Sequence, residues 1–384
     1  MKNKKPVIRF KGFSEDWEEN ELFNLIDLRG GRDYKHLLNG DIPVYGTGGY
    51  MLSVNEALSY NENAIGIGRK GTIDKPYILE APFWTVDTLF YSIPKEKNNL
   101  DFFYDIFQRI NWRQKNEATG VPSLSKVAIN GIHVFIPKPL EQTQIGNFFK
   151  NLDTLITLHQ RKYDKLGTVK KAMLEKMFPK NGADVPEIRF KGFGGAWEVK
   201  TLGGIADFSK GQGYSKNDLV EVGSQIILYG RLYTKYQTVI SEVDTYALHK
   251  NGSTLSKGNE VIVPSSGESA EDIARASAVV KSGIILGGDL NIIYPNDKIN
   301  CIFLALTISH GKPQKELAKK AQGKSVVHLR NADLKEVKIN YPIIAEQNKI
   351  CKYFQNLDNL LTLHKGELEK LKNIKKAMLE RMFV

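Results

Sequence analysis

The chain lacks several features that would place it in a large class of proteins. Only two cysteines, Cys301 and Cys351, occur among its 384 residues, and they have no paired spacing typical of a metal site. No run approaches the 18 or so apolar residues of a membrane span, so none is predicted. The N-terminus, MKNKKPVIRF, is basic but lacks the apolar segment of a secretory signal. These absences favour a reduced, cytoplasmic protein with no bound metal.

Complete catalytic motifs are missing as well. FSKGQG (208–213) is only faintly similar to a glycine loop for S-adenosylmethionine, and no Asp/Asn-Pro-Pro-aromatic motif follows it. AKKAQGKS (318–325) ends like a phosphate-binding P-loop, but Ala318 stands where the first glycine is required. Ser265–Ser266–Gly267 has no nucleophile-elbow pattern, and no histidine pair has zincin spacing. We therefore expect a chain that is not itself an enzyme and binds no cofactor.

Positive charge is what the sequence does have. The formal net charge is +11 and the isoelectric point is about 9.2. This balance favours a polyanionic partner, and nucleic acid is the commonest one in a cell. A basic enzyme would have the same balance, so charge alone leaves both classes open. The length suits two domains of ordinary size.

An internal repeat is the strongest signal. The signature IRFKGF occupies 8–13 and recurs letter for letter at 188–193, and a tryptophan follows each copy as Trp17 and Trp197. A second block, 141–178, aligns without gaps to 346–383, and 21 of the 38 positions are identical. The intervening stretches, about 19–140 and 199–345, show no convincing similarity. Two units are too few for a solenoid and favour pseudo-two-fold symmetry instead.

Each copy of the second block predicts a long helix with a heptad seam. Alternating steps of four and three connect apolar positions, and the pattern breaks only at Lys170 and Lys375. Two such helices could pair antiparallel, and at 1.5 Å per residue each would span about 57 Å. The seam positions, which we also expect to serve partner docking, are Ile145, Phe149, Leu152, Ile156, His159, Leu166, Met173, Met177, Ile350, Phe354, Leu357, Leu361, His364, Leu368, Leu371, Met378 and Met382.

Two alternatives remain open for these helices. Each helix could simply pack on its own domain. His159 and His364 occupy equivalent seam positions, where paired histidines would allow a metal site or a pH switch. Packed histidines with a satisfied ring nitrogen are the simpler interpretation.

Both variable regions predict short strands, glycine turns and a single helix, and therefore a compact mixed α/β unit. GRKGT (68–72) places two cations between glycines, where backbone and side chains can approach a phosphate or a guanine edge. EATGVPSLSK (117–126) and KKAQGKSVVHLR (319–330) hold corresponding places before the two helix blocks. The residues that we predict to contact DNA are Thr47, Tyr50, Arg69, Lys70, Thr72, Ser123, Lys126, Tyr229, Arg231, Tyr233, Ser265, Ser266, Lys320, Lys324, Ser325 and Arg330.

These residues together resemble one known family. The IRFKGF…W signature, the proline before each EQ-initiated helix, the NLD motif and the KKAMLE[KR]MF ending are similar to the specificity subunit of type I restriction-modification systems. The resemblance covers essentially the whole chain. It implies two target-recognition domains, 1–139 and 188–343, two spacer helices, 140–178 and 344–384, and a linker at 179–187.

The resemblance also implies a mechanism and a set of partners. Each target-recognition domain would read one half of a bipartite, asymmetric site in double-stranded DNA. The antiparallel helices would fix the half-site spacing and dock two methyltransferase subunits, which would bind S-adenosylmethionine and modify adenine N6. Motor-nuclease subunits would bring ATP and Mg²⁺ for restriction. A stand-alone DNA methyltransferase and a coiled-coil scaffold without a DNA role are the competing hypotheses.

Overall fold

The computed structural model describes residues 4–180, 182–323 and 326–384, and the chain divides into two compact units. Unit 1 is the chain up to Arg161 together with Lys365–Val384, and unit 2 is Lys162–His364. The units do not follow the linear order of the segments, because each long helix contributes to both. Each unit thus contains one variable region, the first part of the helix that follows it and the last part of the other long helix.

Unit 1 is built from three small sheets and a few helices. Its elements are β1 (Glu18–Glu21), α1 (Leu22–Leu25), β2 (Ile26–Gly30), β3 (Asn39–Gly46), β4 (Gly49–Val54), β5 (Ala64–Gly68), β6 (Tyr77–Leu79), β7 (Trp84–Thr85), β8 (Leu89–Pro94), α2 (Leu100–Arg109), α3 (Lys126–Asn130), β9 (His133–Ile136) and the start of α4 (Pro139–Lys176). The strand orders in the three sheets are β2-β8-β5-β6, β4-β3-β7 and β1-β9.

Unit 2 repeats this plan with additions. Its elements are β10 (Glu198–Thr201), β11 (Ala206–Lys210), β12 (Leu219–Val220), β13 (Ser224–Ile227), α5 (Arg231–Thr234), β14 (Val239–Ile240), β15 (Tyr246–Ala247), β16 (Leu255–Lys257), β17 (Glu260–Pro264), β18 (Ser266–Gly267), α6 (Ala270–Ile273), β19 (Ser277–Val279), β20 (Ser282–Leu286), β21 (Leu290–Pro295), α7 (Cys301–Ile308), α8 (Gly311–Lys320), β22 (Val327–His328), α9 (Asn331–Glu336), β23 (Lys338–Tyr341) and the start of α10 (Ile344–Arg381). The corresponding sheets have the orders β11-β21-β17-β19-β14, β12-β15-β13-β20-β16 and β10-β23, and β18 pairs with β22.

The two variable regions share a fold although their sequences do not align. In each, the central sheet contains a fully buried strand, β5 in unit 1 and β17 in unit 2. That strand pairs antiparallel with the strand that leads into the helix of the variable region, β8 before α2 and β21 before α7. In each, the second sheet contains one pair of parallel strands. Strand β3 pairs with β7, with Val44 opposite Trp84, and β13 pairs with β20, with Ile226 opposite Ile285. The mixed α/β fold predicted from the sequence is confirmed.

The long helices α4 and α10 are continuous over 38 residues each, which confirms the helix prediction. Within unit 1, Phe149 of α4 contacts Phe383 and Asp153 contacts Lys375, so the two segments run antiparallel. Within unit 2, Phe354 contacts Phe178 and Asp358 contacts Lys170, which gives the same direction. Each helix therefore packs on its own domain at its start and on the other domain's unit at its end.

The predicted seam faces inward. Nine of its residues are fully buried, and the others are partly buried. The fully buried ones are Ile145, Phe149, Leu152, Leu368 and Met382 in unit 1, and Met177, Ile350, Phe354 and Leu357 in unit 2. The partly buried ones are Ile156, His159, Leu371 and Met378 in unit 1, and Leu166, Met173, Leu361 and His364 in unit 2.

Candidate nucleic-acid interface

The repeated signature ties each domain to the helix that follows it. Arg9 donates two hydrogen bonds to Glu141, from Nε to Oε1 at 2.7 Å and from Nη2 to Oε2 at 2.8 Å. Arg189 and Glu346 form the same bidentate pair, with both distances 2.7 Å. The two carboxylates are buried, so the guanidinium is their charge partner in a place that water does not reach. The arginine of each signature therefore anchors its domain to the helix that follows.

The repeated tails fill equivalent aromatic sockets. Phe383 stacks on Phe102 with ring centroids 5.3 Å apart and meets Trp17 edge to face at 5.9 Å. Phe178 stacks on Phe303 at 5.6 Å and meets Trp197 edge to face at 6.1 Å. Backbone bonds complete the sockets, since the Ile8 amide donates to Arg381 O at 2.9 Å and Ile188 to Lys176 O at 2.9 Å.

In unit 1 the structure brings together several residues predicted to contact DNA. The β3–β4 hairpin closes with Gly46 opposite Gly49, which leaves Thr47 at its tip. That tip lies beside Gly71, where an added Cβ would come 3.7 Å from the Thr47 hydroxyl. Lys70 pairs with Ser123 in an antiparallel bridge. The exposed residues Arg69 and Lys70 therefore share one surface, the first reading surface, with the Thr47 and Ser123 hydroxyls.

Close backbone packing holds the first reading surface in place. Gly71 has φ of +98°, a conformation that favours glycine, and its amide donates to Pro122 O at 2.8 Å. Thr72 O lies so near Gly68 that a Cβ there would be 1.9 Å away. The Arg69 guanidinium reaches Asp87 O at 3.3 Å and remains exposed.

Sequence reasoning missed two residues at this surface. Asn116 closes the loop before α3, because its Oδ1 accepts from the Ala118 amide at 3.1 Å and the Ser123 amide at 2.8 Å. Arg113 is 81% exposed at its side chain, and its Nε donates to Asp74 at 2.6 Å. Both line an open groove of about 530 Å³ next to Gly71. The basic run WRQK contained the only signal for Arg113.

Tyr50 and Lys126 lie at the margins of the same domain. Tyr50 is 63% exposed on β4, meets Tyr45 edge to face at 6.4 Å and shares a 3.2 Å hydrogen bond with Ser53. Lys126 is exposed as the first residue of α3, whose N-cap Ser125 accepts from the Ala128 amide. Both side chains are open to solvent.

The matching positions in unit 2 have another chemistry. In unit 1 the Arg69 amide donates to Thr88 O, and Arg69 O accepts from the Leu124 amide. In unit 2 the Ser265 amide donates to Asp289 O, and Ser265 O accepts from the Leu329 amide. Arg69 and Lys70 therefore correspond to Ser265 and Ser266. These serines are only 8% and 9% exposed, so they do not face a ligand as the sequence prediction requires.

The tyrosine and arginine candidates of unit 2 are engaged within the domain. Arg231 donates to Asp244 at 2.7 Å and to Gln237 at 3.0 Å, and its side chain is 11% exposed. The Tyr233 hydroxyl donates to Ser266 O at 2.8 Å, and burial raises the pKa of Tyr233 to about 12. Tyr229 meets Tyr233 edge to face at 6.3 Å and remains 38% exposed. Of these residues, Tyr229 is the most exposed to solvent.

The basic candidates before α10 differ in their freedom. Lys320 forms an ion pair with Glu336 on α9. Arg330 is exposed and precedes α9, and its backbone amide donates to Asp333 at 2.9 Å. Lys324 and Ser325 lie outside the described residues.

Each long helix also carries an outward apolar face that the seam analysis missed. Leu155 and Leu158 of α4 are 42% and 44% exposed. The equivalent Leu360 and Leu363 of α10 are 42% and 57% exposed. Each outward leucine is more exposed than any seam residue, since nine seam residues are buried and the other eight are partly buried. Exposed apolar residues of this kind are common at protein contacts, whereas docking of a partner at the seam stays a prediction.

The described parts of the chain offer no metal-binding cluster of three or more His, Cys, Asp or Glu residues. Over the same residues, no helix is long and apolar enough to cross a membrane.

Comparison with known proteins identifies the family. Residues 14–168 and 195–373 match the type I restriction modification DNA specificity domain, and the chain belongs to this family. The MjaVIII type I restriction enzyme specificity subunit of Methanocaldococcus jannaschii is 23% identical over 339 residues, which cover 83% of this chain and 75% of that protein. The crystal structure of the type I restriction-modification S subunit of M. genitalium matches 99% of both chains with a TM-score of 0.65 and 16% identity, which shows a shared fold.

Proposed function

We propose that this DNA-specificity subunit is the non-catalytic reader of a bipartite DNA site, with one half-site assigned to each variable domain. The observation that carries the proposal is the contrast between the two domains. They share strand order, buried strands and helix joints. At equivalent positions, however, unit 1 has the exposed cations Arg69 and Lys70, and unit 2 has the buried serines Ser265 and Ser266. A common scaffold with unlike surfaces is what reading two unlike sequences requires.

The first reading surface has the chemistry for a half-site. Arginine and lysine bind guanine O6 and N7 or phosphate. The Thr47 and Ser123 hydroxyls can donate to an acceptor, or accept from a donor, on a base edge. Within the described residues, the Arg69 guanidinium contacts one carbonyl, that of Asp87, and the face of Phe90 at 5.8 Å, so it retains donors for DNA. We assign this surface to the major groove of the first half-site.

The helices supply spacing and partner docking in this proposal. The outward leucines recur at equivalent positions of α4 and α10, as two copies of one partner would require. That partner is a methyltransferase subunit, which would bring S-adenosylmethionine and modify adenine N6. Motor-nuclease subunits, with ATP and Mg²⁺, would join for restriction. The chain itself would supply recognition only.

The proposal is tested with a pair of matched charge deletions. In the complex with the methyltransferase subunits, Arg69→Ala with Lys70→Ala should weaken binding to the cognate DNA by about 30-fold or more, since the two lost contacts are worth about 1–3 kcal/mol each. Lys95→Ala with Lys97→Ala is the control, because it removes the same charge beyond the far end of β8. Equal losses in both variants would reject the first reading surface.

A second readout addresses specificity. Adenine methylation mapped over genomic DNA should show relaxed sequence preference in one half-site of the Arg69→Ala, Lys70→Ala complex, with the other half unchanged. Methyl transfer by the purified chain alone would favour a stand-alone enzyme. Binding that is insensitive to salt would favour a scaffold without a DNA role.

A further inference from the structure

The backbone of unit 2 identifies the counterparts of the first reading surface one by one. In unit 1, Lys70 forms an antiparallel bridge with Ser123, and in unit 2 the equivalent Ser266 pairs antiparallel with His328. His328 therefore holds the place of Ser123, although the sequence prediction did not include it. Its side chain is exposed.

The hairpin tip of unit 1 also has a counterpart. The carbonyls of Tyr45 and Ile227 each accept a hydrogen bond from the amide that follows the parallel partner strand, β7 or β20, at 3.0 Å and 2.9 Å. These two residues are therefore equivalent, and Thr47 and Tyr229 lie two residues beyond them. Tyr229 is 38% exposed, so the tip position of unit 2 presents a phenol where unit 1 presents a smaller hydroxyl.

A carboxylate occupies the third equivalent position. Counted from the bridged residue, Glu268 holds the place of Thr72. Glu268 is exposed, and no ion pair reaches it within the part of the chain that the structure describes. The acid that follows on α6, Asp272, differs because Arg275 neutralises it at 2.9 Å. Glu268 therefore presents an uncompensated negative charge.

Tyr233 brings these positions together. Its hydroxyl donates to Ser266 O at 2.8 Å, and its ring meets that of Tyr229 edge to face with centroids 6.3 Å apart. A Cβ at Gly267 would lie 2.6 Å from the same hydroxyl, so the chain passes directly over Tyr233 just before Glu268. The exposed residues around this tyrosine, which we term the second reading surface, are Tyr229, Glu268 and His328.

We propose that Glu268 reads an exocyclic amino group on a base edge of the second half-site. This inference rests on the proposed function. Phosphates repel an unpaired carboxylate, so an acid on a DNA-contacting surface is favoured only where a base offers it a donor. In the major groove those donors are cytosine N4 and adenine N6, whereas guanine presents acceptors alone. Tyr229 and His328 can donate or accept beside the carboxylate.

The test replaces Glu268 by alanine in the full chain, in the complex with the methyltransferase subunits. Adenine methylation mapped over genomic DNA should show that discrimination at one base pair falls at least about fivefold, because a good base contact supplies that much or more. The affected half-site should be the one that Arg69→Ala with Lys70→Ala leaves unchanged. The melting temperature should equal that of the wild type, since the side chain is exposed.

A second variant, Glu268→Gln, identifies the base. Glutamine can hydrogen-bond adenine N6 and N7 at the same time. If Glu268 reads cytosine, glutamine should move the preference at that base pair from cytosine towards adenine. If it reads adenine, glutamine should restore the adenine preference that the alanine variant loses.

The matched control is Glu221→Ala. Glu221 is exposed and precedes β13, whereas Tyr229 follows the other end of that strand, so the control should leave both half-sites unchanged. A Glu268→Ala complex that binds every sequence more tightly, with no change in base preference, would overturn the inference, because the carboxylate would then only repel DNA. If the wild-type complex methylates no bipartite site, the proposed function fails as well. If it does, and Glu268→Ala keeps both half-sites intact, the inference alone fails.

Discussion

The aromatic sockets predict that the last residues of the chain stabilise unit 1. Phe383 is 4% exposed, stacks on Phe102 and meets Trp17, and the Arg109 guanidinium lies 4.9 Å from its ring centroid. Phe→Ala substitutions in protein cores cost about 3–5 kcal/mol, because apolar burial is lost and a cavity remains. We expect Phe383→Ala to cost about 3 kcal/mol, at the lower end of this range.

The assay is urea denaturation followed by circular dichroism, with hydrogen exchange of α10 as a local probe. Phe178→Ala, the equivalent change in unit 2, should cost a similar amount and expose α4 instead. Leu363→Ala, on the outward face of α10 and 57% exposed, is the control and should cost well under 1 kcal/mol. A loss below about 1 kcal/mol for both phenylalanines would refute the socket interpretation.

Further predictions concern buried ionisable groups. Arg9→Met should lower the free energy of unfolding by about 3–5 kcal/mol, because it leaves the buried Glu141 carboxylate without a charge partner. Urea titration measures the loss. Lys138→Met, which removes an exposed salt bridge to Glu15, is the control. Burial and the charge of Lys170 lower the pKa of His310 from 6.5 to about 4, so the unfolded chain takes up this proton first and stability is lost as pH falls from 6.5 towards 4. His310→Gln should remove about 2 kcal/mol of that loss between pH 7 and 4.5. Burial raises the pKa of Asp105 well above 3.8, and its Oδ2 has no hydrogen-bond partner among the residues that the structure describes. The fold therefore prefers the protonated acid and loses stability as pH rises. Asp105→Asn should therefore raise the melting temperature more at pH 8 than at pH 4, and an equal change at both would contradict this.

The helices could be predicted from sequence because their signal is local and repeated. A heptad pattern over 38 residues, repeated at a fixed offset, predicts both helices, and the observed ranges begin and end about two residues earlier. The Arg9–Glu141 ion pair could also have been predicted from the sequence. Both residues recur, as Arg189 and Glu346, so opposite charges that repeat together could have been paired.

The common fold of the variable regions could not be read from sequence. The two cores agree in residue type but not in sequence. For example, Ile65 of β5 faces β8, and Val261 of β17 faces the equivalent strand β21. The extra residues of unit 2 are inserted at several places. The offset between equivalent residues grows from 180 at Ile26 and Ala206 to 201 at Leu89 and Leu290, which hides the alignment.

The exposure of side chains could not be predicted where burial depends on distant chain segments. Ser265 and Ser266 lie in a polar, glycine-containing stretch that predicts an exposed turn. The structure covers them with Tyr233 and with β22, both far away in sequence. Arg69 and Lys70 differ because the positive φ of Gly71 turns the chain at the surface, and GRKGT shows that turn directly.

The most direct measurement exchanges one variable region and maps the methylated adenines. Residues 26–131 would be replaced by the corresponding region of a relative, while the signature, β9 and both long helices are kept. Complexes with the methyltransferase subunits should then methylate a site with one new half, the other half and the spacer being unchanged. A change in both halves, or a change of spacer with both halves retained, would contradict reading by two independent domains.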